Sequence, residues 1–281
     1  MASRVRYEEK QIFAALERRG VAYTHADPRR FTTRLDEITG LEYSAALLRE
    51  IAHTRALYAA LLLQALGVPA VNSAEVIETC GDKLRTSLAL RRAGLPTPRT
   101  AVALTPEAGL AAAGEIGYPV VIKPLTGSWG RLLAVARDRA TAEAIFEHRA
   151  ALPTPQQRIA FVQELIHGPG RDIRVIVCGD TVVAASYRYG DGVRANVALG
   201  GRSEPCPLTP ELRGLAQAAA AAVGGGVLGV DLIEGPDGPL VLEVNHTVEF
   251  RGLQQAHGGS VDVAGAIAAH AAEVATGVGA R

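Results

Sequence analysis

The chain has 281 residues, 48% hydrophobic and 21% charged, enough to bury sizeable cores and to divide into about two domains. Its 29 basic and 29 acidic residues cancel, so no overall field favours nucleic acid or an anionic membrane as partner. Cys80, Cys178 and Cys206 are an odd, scattered set without CxxC spacing, which suits reduced thiols in the cytoplasm. The seven histidines lack zinc-ligand spacing, the N-terminus lacks an apolar signal core, and no apolar run reaches the roughly 18 residues of a membrane span.

Residues 5–19 pattern as an amphipathic helix with Ile12, Phe13 and Leu16 on one side, stopped by Gly20. Residues 21–25 suit a short strand. Residues 44–66 read as a second helix ending at Gly67, before the strand-like VPAVN that closes on Asn72. The alternation predicts a small α/β domain, with no strand ahead of the first helix. Asn72 or Ser73 caps a helix over 74–80, Gly81 breaks it, and Asp82 caps another from Lys83 to Ala93. The proline-stiffened LPTPRTAVAL is a link, placing a domain boundary near 78–98.

Helix 106–116 precedes YPVVIKP, a strand over 118–124 carrying Lys123, and strand character resumes over 132–136. The intervening TGSWGR can lay backbone amides over phosphates, and it can equally be a plain hairpin turn. A helix over 140–150, a PTPQQ loop and a strand over 159–166 follow. A hairpin pairs 172–178 with 181–188 around Gly179-Asp180. The polar loop GDGVRANVALGGRSEP holds Arg194 and Asn196, and residues 209–223 form an alanine-rich helix. GGGVLG, 224–229, matches GxGxxG but follows a helix and opens a strand, the reverse of a dinucleotide fingerprint; it is a helix stop. No GxxxxGK[ST] is present, which excludes a P-loop. The last helix spans about 262–276.

Chemistry concentrates in the C-terminal strands VLGVDLI and LVLEVN, joined by EGPDGP. In a hairpin centred on Asp237, Asp231 falls opposite Glu243, and Glu243 and Asn245, two apart, share its face. Two carboxylates and an amide oxygen in an apolar hairpin are costly unless a cation compensates them. An all-oxygen set suits Mg²⁺; solvated acids on an exposed sheet face would give the same pattern. Lys83, Lys123 and Arg194 add cations that phosphates need.

The ordered runs VNSAEVIETCGDK, GYPVVIKPLTGSWGRLLA, GRDIRVIVCGD, NVALGG and LEVNHTVEF make the chain resemble the ATP-grasp ligases. It is most similar to the RimK-like branch and, within it, to the LysX/ArgX enzymes of amino-group-carrier-protein pathways. The resemblance covers nearly the whole chain. It implies an α/β ATP-grasp fold in three domains: a Rossmann-like pre-ATP-grasp domain over 1–80, a central part with the glycine loop over 81–157, and a C-terminal part with the metal site over 158–281. ATP lies between the last two.

By the same resemblance, Lys83, Lys123 and the loop residues Gly127, Ser128, Trp129 and Gly130 hold ATP phosphates. Gln163, Glu164, Leu165 and Ile166 meet adenine, Asp172 is an acidic ATP-site residue, and Arg194 and Asn196 approach the triphosphate. Arg188 lies near the acyl-transfer site and acts with Arg194. Asp231, Glu243 and Asn245 match ligands of magnesium, two ions in all. The implied reaction activates the C-terminal glutamate of a small acidic LysW-like carrier protein as an acyl phosphate, which the α-amino group of an acidic amino acid attacks. The aligned pair Gly252-Leu253 favours glutamate, because a larger Leu shortens the pocket; α-aminoadipate stands close behind, one methylene being worth about 1–3 kcal/mol. The alternatives are a RimK-like glutamate ligase for another carboxylate and a non-catalytic ATP-binding protein. A homo-oligomer, dimer or tetramer, is expected. Arg29, Arg30, Arg34, Arg91 and Arg92 are candidate contacts for the acidic carrier. Residues 4–20 align with the family's first helix, so the start codon is misassigned or the N-terminal sheet is one strand short.

Overall fold

The computed structural model describes residues 1–38, 40–127, 132–190 and 202–277. Helix α1 (Tyr7–Arg18) forms where the periodicity puts it and buries Ile12, Ala15 and Leu16. Residues 21–25, expected as a strand, are irregular. Tyr23 stacks on Phe13 at 5.0 Å and His25 tilts against the same ring, so this run folds back on α1 instead of joining a sheet.

The single helix expected over 44–66 is a strand followed by a helix. β1 (Ala46–Leu47) pairs in parallel with β2 (Ala70–Val71), and α2 (His53–Ala65) starts only afterwards. The reason lies in Arg49 and Glu50. They resemble a helix's polar face, yet both are buried: Arg49 donates to Glu9 and to the Val248 carbonyl, and Glu50 accepts from the Ser3 and Ala52 amides. Those long-range bonds hold the backbone extended against local helix propensity. Among the described residues no strand precedes α1, although the Met1 carbonyl accepts the Arg49 amide at 2.9 Å.

α3 (Ala74–Gly81) is capped by Ser73, and α4 (Lys83–Arg92) by Asp82, whose carboxylate accepts from the Leu84 and Arg85 amides. Next comes a four-stranded antiparallel sheet, β3-β6-β4-β5. It contains β3 (Thr100–Ala103), β4 (Val120–Lys123), β5 (Ala134–Ala136) and β6 (Ala160–Glu164). β3 emerges from the segment expected as a link, and PTPQQ contributes a short helix, α7 (Pro155–Arg158). α5 (Pro106–Ile116) and α6 (Arg139–Ala150) cover this sheet; Ala113, Val120, Ile122, Phe146 and Val162 form its core.

The larger sheet is antiparallel with order β11-β10-β7-β8-β9. Its strands are β7 (Arg171–Cys178), β8 (Thr181–Tyr189), β9 (Arg202–Cys206), β10 (Val227–Gly235) and β11 (Gly238–Asn245). β9 comes from the end of the run expected as a loop. One face packs Ile173, Val175, Val177, Leu228, Val230 and Leu232 against α8 (Pro210–Ala222). The opposite face packs Ile176, Cys178 and Val227 against α1 and α10 (Val263–Thr276). Strand alternation continues that second face into Asp172, Arg174, Arg188, Asp231 and Glu243, so one surface changes from core to polar cluster along its length.

The triple glycine behind α8 serves packing. A Cβ on Gly226, at φ +108°, would lie 2.2 Å from Asn72 Oδ1. Asn72 is buried and donates to the Val227 and His246 carbonyls while accepting the Val227 amide, which ties the N-terminal segment to both ends of the β10–β11 hairpin. The cysteines are free, and burial pushes the Cys80 and Cys178 thiols up to about 12. Among the described residues no helix is long and apolar enough to cross a membrane.

Candidate active site

The expected register is observed: Asp231 on β10 sits directly opposite Glu243 on β11. The Asn245 amide nitrogen lies 3.1 Å from Asp231 Oδ2 and 3.2 Å from Glu243 Oε1, so the three side chains converge. Glu243 has no ion-pair partner among the described residues, leaving its charge to be met by something else. Asp231 differs. It is buried, and Arg174 grips it through two nitrogens while Arg188 Nη2 lies 3.1 Å away. Burial favours its neutral form, yet the two guanidinium groups outweigh burial and hold the carboxyl below the usual range.

Arg188 also bridges Asp172 with two bonds of 2.6 and 2.8 Å. For Asp172 burial wins, and its pKa is pushed up to about 6 despite Arg188, with Asp231 adding repulsion. Arg174 was absent from the sequence-derived set. Its signal was available: it stands two residues after Asp172, on the same side of a strand. The imidazoles of His53 and His246 approach to 3.5 Å beside Asn245. Burial, with His53 and Arg49 nearby, lowers His246 to about 4, so at neutral pH it adds no positive charge there.

The cations come from β4 and from the start of α4. Lys123 ends β4 and donates to Gln163 Oε1 at 2.8 Å, with Phe161 beneath its ammonium. Burial lowers its pKa to about 8, against the pull of Glu243, whose negative charge favours the ammonium. Lys83 opens α4 and donates to the Gly127 carbonyl at 3.1 Å. The start of the glycine loop is pinned to α4, since the Lys83 amide bonds the Leu125 carbonyl and Asp82 bridges Thr126.

At the strand end expected to meet adenine, Gln163 is buried, and Glu164 holds Arg99 through its carboxylate. The Leu165 amide is used by the Pro119 carbonyl. The Ile166 amide has no protein partner among the described residues, leaving one donor at the end of this edge. Ser128, Trp129, Gly130, Arg194 and Asn196 lie outside the described residues. Gly252 is half-buried on α9 (Arg251–Ala256), and the Leu253 side chain belongs to the core with Ile12, Phe250 and Val263.

Two of the five arginines of the candidate basic patch are neutralised. Arg29 pairs with Asp27 at 2.8 Å, and Arg34 pairs with Asp36 and Glu37. Arg91 and Arg92 are exposed, about 12 Å along α4 from Lys83.

A nucleotide gripped between a lysine-bearing four-stranded sheet and an acid-bearing five-stranded sheet defines the ATP-grasp class of ATP-dependent, amide-forming ligases. The chain belongs to the RimK-like ATP-grasp family: the RimK-like ATP-grasp domain matches residues 80–270, and a LysX preATP-grasp domain matches residues 1–79. It is 37% identical to the glutamate–LysW ligase ArgX of Sulfurisphaera tokodaii, over 90% of each chain. It is 34% identical to the α-aminoadipate–LysW ligase LysX of Sulfolobus acidocaldarius, over 88% of this chain and 91% of that one. A crystal structure of a RimK domain ATP-grasp protein from Sphaerobacter thermophilus superimposes with a TM-score of 0.81 at 32% identity, covering 96% and 97% of the two chains.

Proposed function

We propose that the protein joins the α-amino group of glutamate, with α-aminoadipate close behind, to the C-terminal glutamate of a small acidic LysW-like carrier, through an acyl phosphate formed from ATP. The observation that carries this reading is the grouping of Asp231, Glu243 and Asn245 on one face of the β10–β11 hairpin, with the charge of Glu243 acting on Lys123. A carboxylate is a poor electrophile because its leaving group is oxide, and phosphorylation makes expulsion feasible. Lys83 and Lys123 draw charge from the phosphates as the phosphoryl group moves. Glu243 would hold magnesium, joined by Asn245 through its amide oxygen and by Asp231 only where its bonds to Arg174 and Arg188 leave an oxygen to share, two ions in our reading, and such ions would supply further neutralisation of the triphosphate. Arg188, poised between Asp172 and Asp231, is placed to face the charge of the acyl phosphate. The Ile166 amide suits an adenine ring nitrogen. Residues 1–80, 81–157 and 158–281 serve as the three working units of this reaction.

Two named relatives support the carrier as acceptor, one acting with glutamate and the other with α-aminoadipate. The lean towards glutamate rests on the Gly252-Leu253 pair as a sequence likeness and not on a narrowed pocket, because the Leu253 side chain lies in the core. Incubation of the enzyme with Mg-ATP, glutamate and carrier should raise the carrier's intact mass by one glutamyl residue and release ADP. ADP release with no adduct on any carrier, from either amino acid, would overturn the reading, and amide formation without a carrier would redirect it to a small-molecule acid.

A further inference from the structure

Lys123 stands at the end of a chain of hydrogen bonds whose direction is fixed along its whole length. Thr100 on β3 sits directly opposite Gln163 on β6, and Lys123 on β4 lies diagonal to Gln163, so the three side chains share one face of the four-stranded sheet. The Thr100 hydroxyl lies 2.9 Å from the Pro98 carbonyl, and a carbonyl only accepts, so the hydroxyl proton goes there. Its oxygen is left as an acceptor, and Gln163 Nε2 donates to it at 3.1 Å. With the amide nitrogen engaged on that side, Gln163 presents Oε1 on the other, where it accepts from Lys123 Nζ at 2.8 Å. An amide turned the other way would set N–H groups against the ammonium. Gln163 is 4% exposed, so water is a poor substitute for either partner.

The far end of the chain is anchored as well. Pro98 belongs to the connector between α4 and β3, where the Pro96 carbonyl accepts the Val241 amide at 2.8 Å and the Arg99 carbonyl accepts the Glu164 amide at 2.9 Å. Val241 stands two residues before Glu243 on β11. Lys123 and the strand carrying Glu243 are therefore set by one short segment, residues 96–99.

We propose that Thr100 and Gln163 are positioning residues that aim the Lys123 ammonium at the nucleotide phosphates, Gln163 through its amide oxygen and Thr100 by fixing which way that amide faces. This assignment rests on the reading of Lys123 as a phosphate ligand and goes beyond it by turning the Gln163 side chain to the lysine and not to adenine. Thr100 acts on the lysine only through Gln163.

The test is a double-mutant cycle on the full-length protein with two readouts. One is Mg-ATP affinity by calorimetry at pH 8; the other is the titration of the Lys123 ammonium by NMR without nucleotide, its signal identified by its loss in Lys123→Met. The Gln163 oxygen and the Glu243 charge favour the ammonium, against burial and Lys83. Gln163→Leu should therefore lower the proton affinity of Lys123 about tenfold, the scale of one lost bond to a charged group, and weaken Mg-ATP binding about fivefold as the charged fraction falls from about a half to about a tenth. Thr100 is exposed on an edge strand, where valine is tolerated. Thr100→Val should lower the proton affinity of Lys123 about threefold, and Thr100→Ser, which keeps the hydroxyl, should stay within about 1.5-fold of wild type. In the Gln163→Leu background, Thr100→Val should add nothing. A Lys123 titration unmoved by Gln163→Leu, a Thr100→Val effect of the same size in both backgrounds, or a loss in Thr100→Ser equal to that in Thr100→Val would overturn the proposal. Failure of the phosphate reading looks different: Lys123→Met would then bind Mg-ATP as tightly as wild type, while the cycle in the Lys123 titration still showed Thr100 and Gln163 holding the lysine.

Discussion

Replacing Asn72 by alanine probes the joint on which the site is mounted. The carboxamide makes three short bonds in a buried place: 2.9 Å to the Val227 carbonyl, 2.8 Å to the His246 carbonyl and 2.6 Å from the Val227 amide. Val227 begins the strand that carries Asp231, and His246 follows Asn245. Truncation leaves three backbone groups without those partners, at about 1–3 kcal/mol for each group that stays dry. The expected cost is about 3–6 kcal/mol in a denaturant titration, a large part of a typical domain's stability. Asn72→Asp keeps the acceptor for the Val227 amide but sets a carboxylate oxygen against two carbonyls, and should be no better than alanine. Mg-ATP affinity should fall in both, because the hairpin loses its outer anchor. A loss below about 1 kcal/mol in the alanine variant would show that Asn72 is not the tie between the N-terminal segment and the β10–β11 hairpin.

Lys123 titrates near 8 when free, and nucleotide phosphates will favour its charged form, so Mg-ATP binding at pH 8 should take up about half a proton, read from calorimetry in buffers of different ionisation heat. Lys123→Met should abolish that uptake. Glu243→Gln removes the carboxylate without an ion partner and should raise the magnesium concentration needed for half-maximal nucleotide binding about tenfold or more, with little change in melting temperature. Arg49→Met strands buried Glu9 and the Val248 carbonyl and should cost about 3–5 kcal/mol by thermal melting. Burial alone would raise Glu9, but Arg6 and Arg49 hold it below the usual range. Its contribution is therefore present above about pH 4.3 and disappears as pH falls through the folded value, so the variant's acid unfolding should be shallower than wild type.

The Asp231–Glu243 register was legible in the sequence because a hairpin's centre fixes every cross-strand pair, and the helix caps at Ser73 and Asp82 were legible because capping chemistry is local. Long-range partners were not. Arg49 and Glu50 look like a helix's outer face until Glu9 and Val248, distant in sequence, bury them, and only then does β1 separate from α2. β3 escaped notice because TAVA is short, small and follows two prolines; it becomes a strand by pairing with β6.

The most direct test of the chemistry follows oxygen. With a heavy isotope in both carboxylates of the carrier's C-terminal glutamate, ligation through an acyl phosphate must leave one labelled oxygen on the released inorganic phosphate, visible by phosphorus NMR. Amide product accompanied by unlabelled phosphate would contradict phosphorylation of that glutamate.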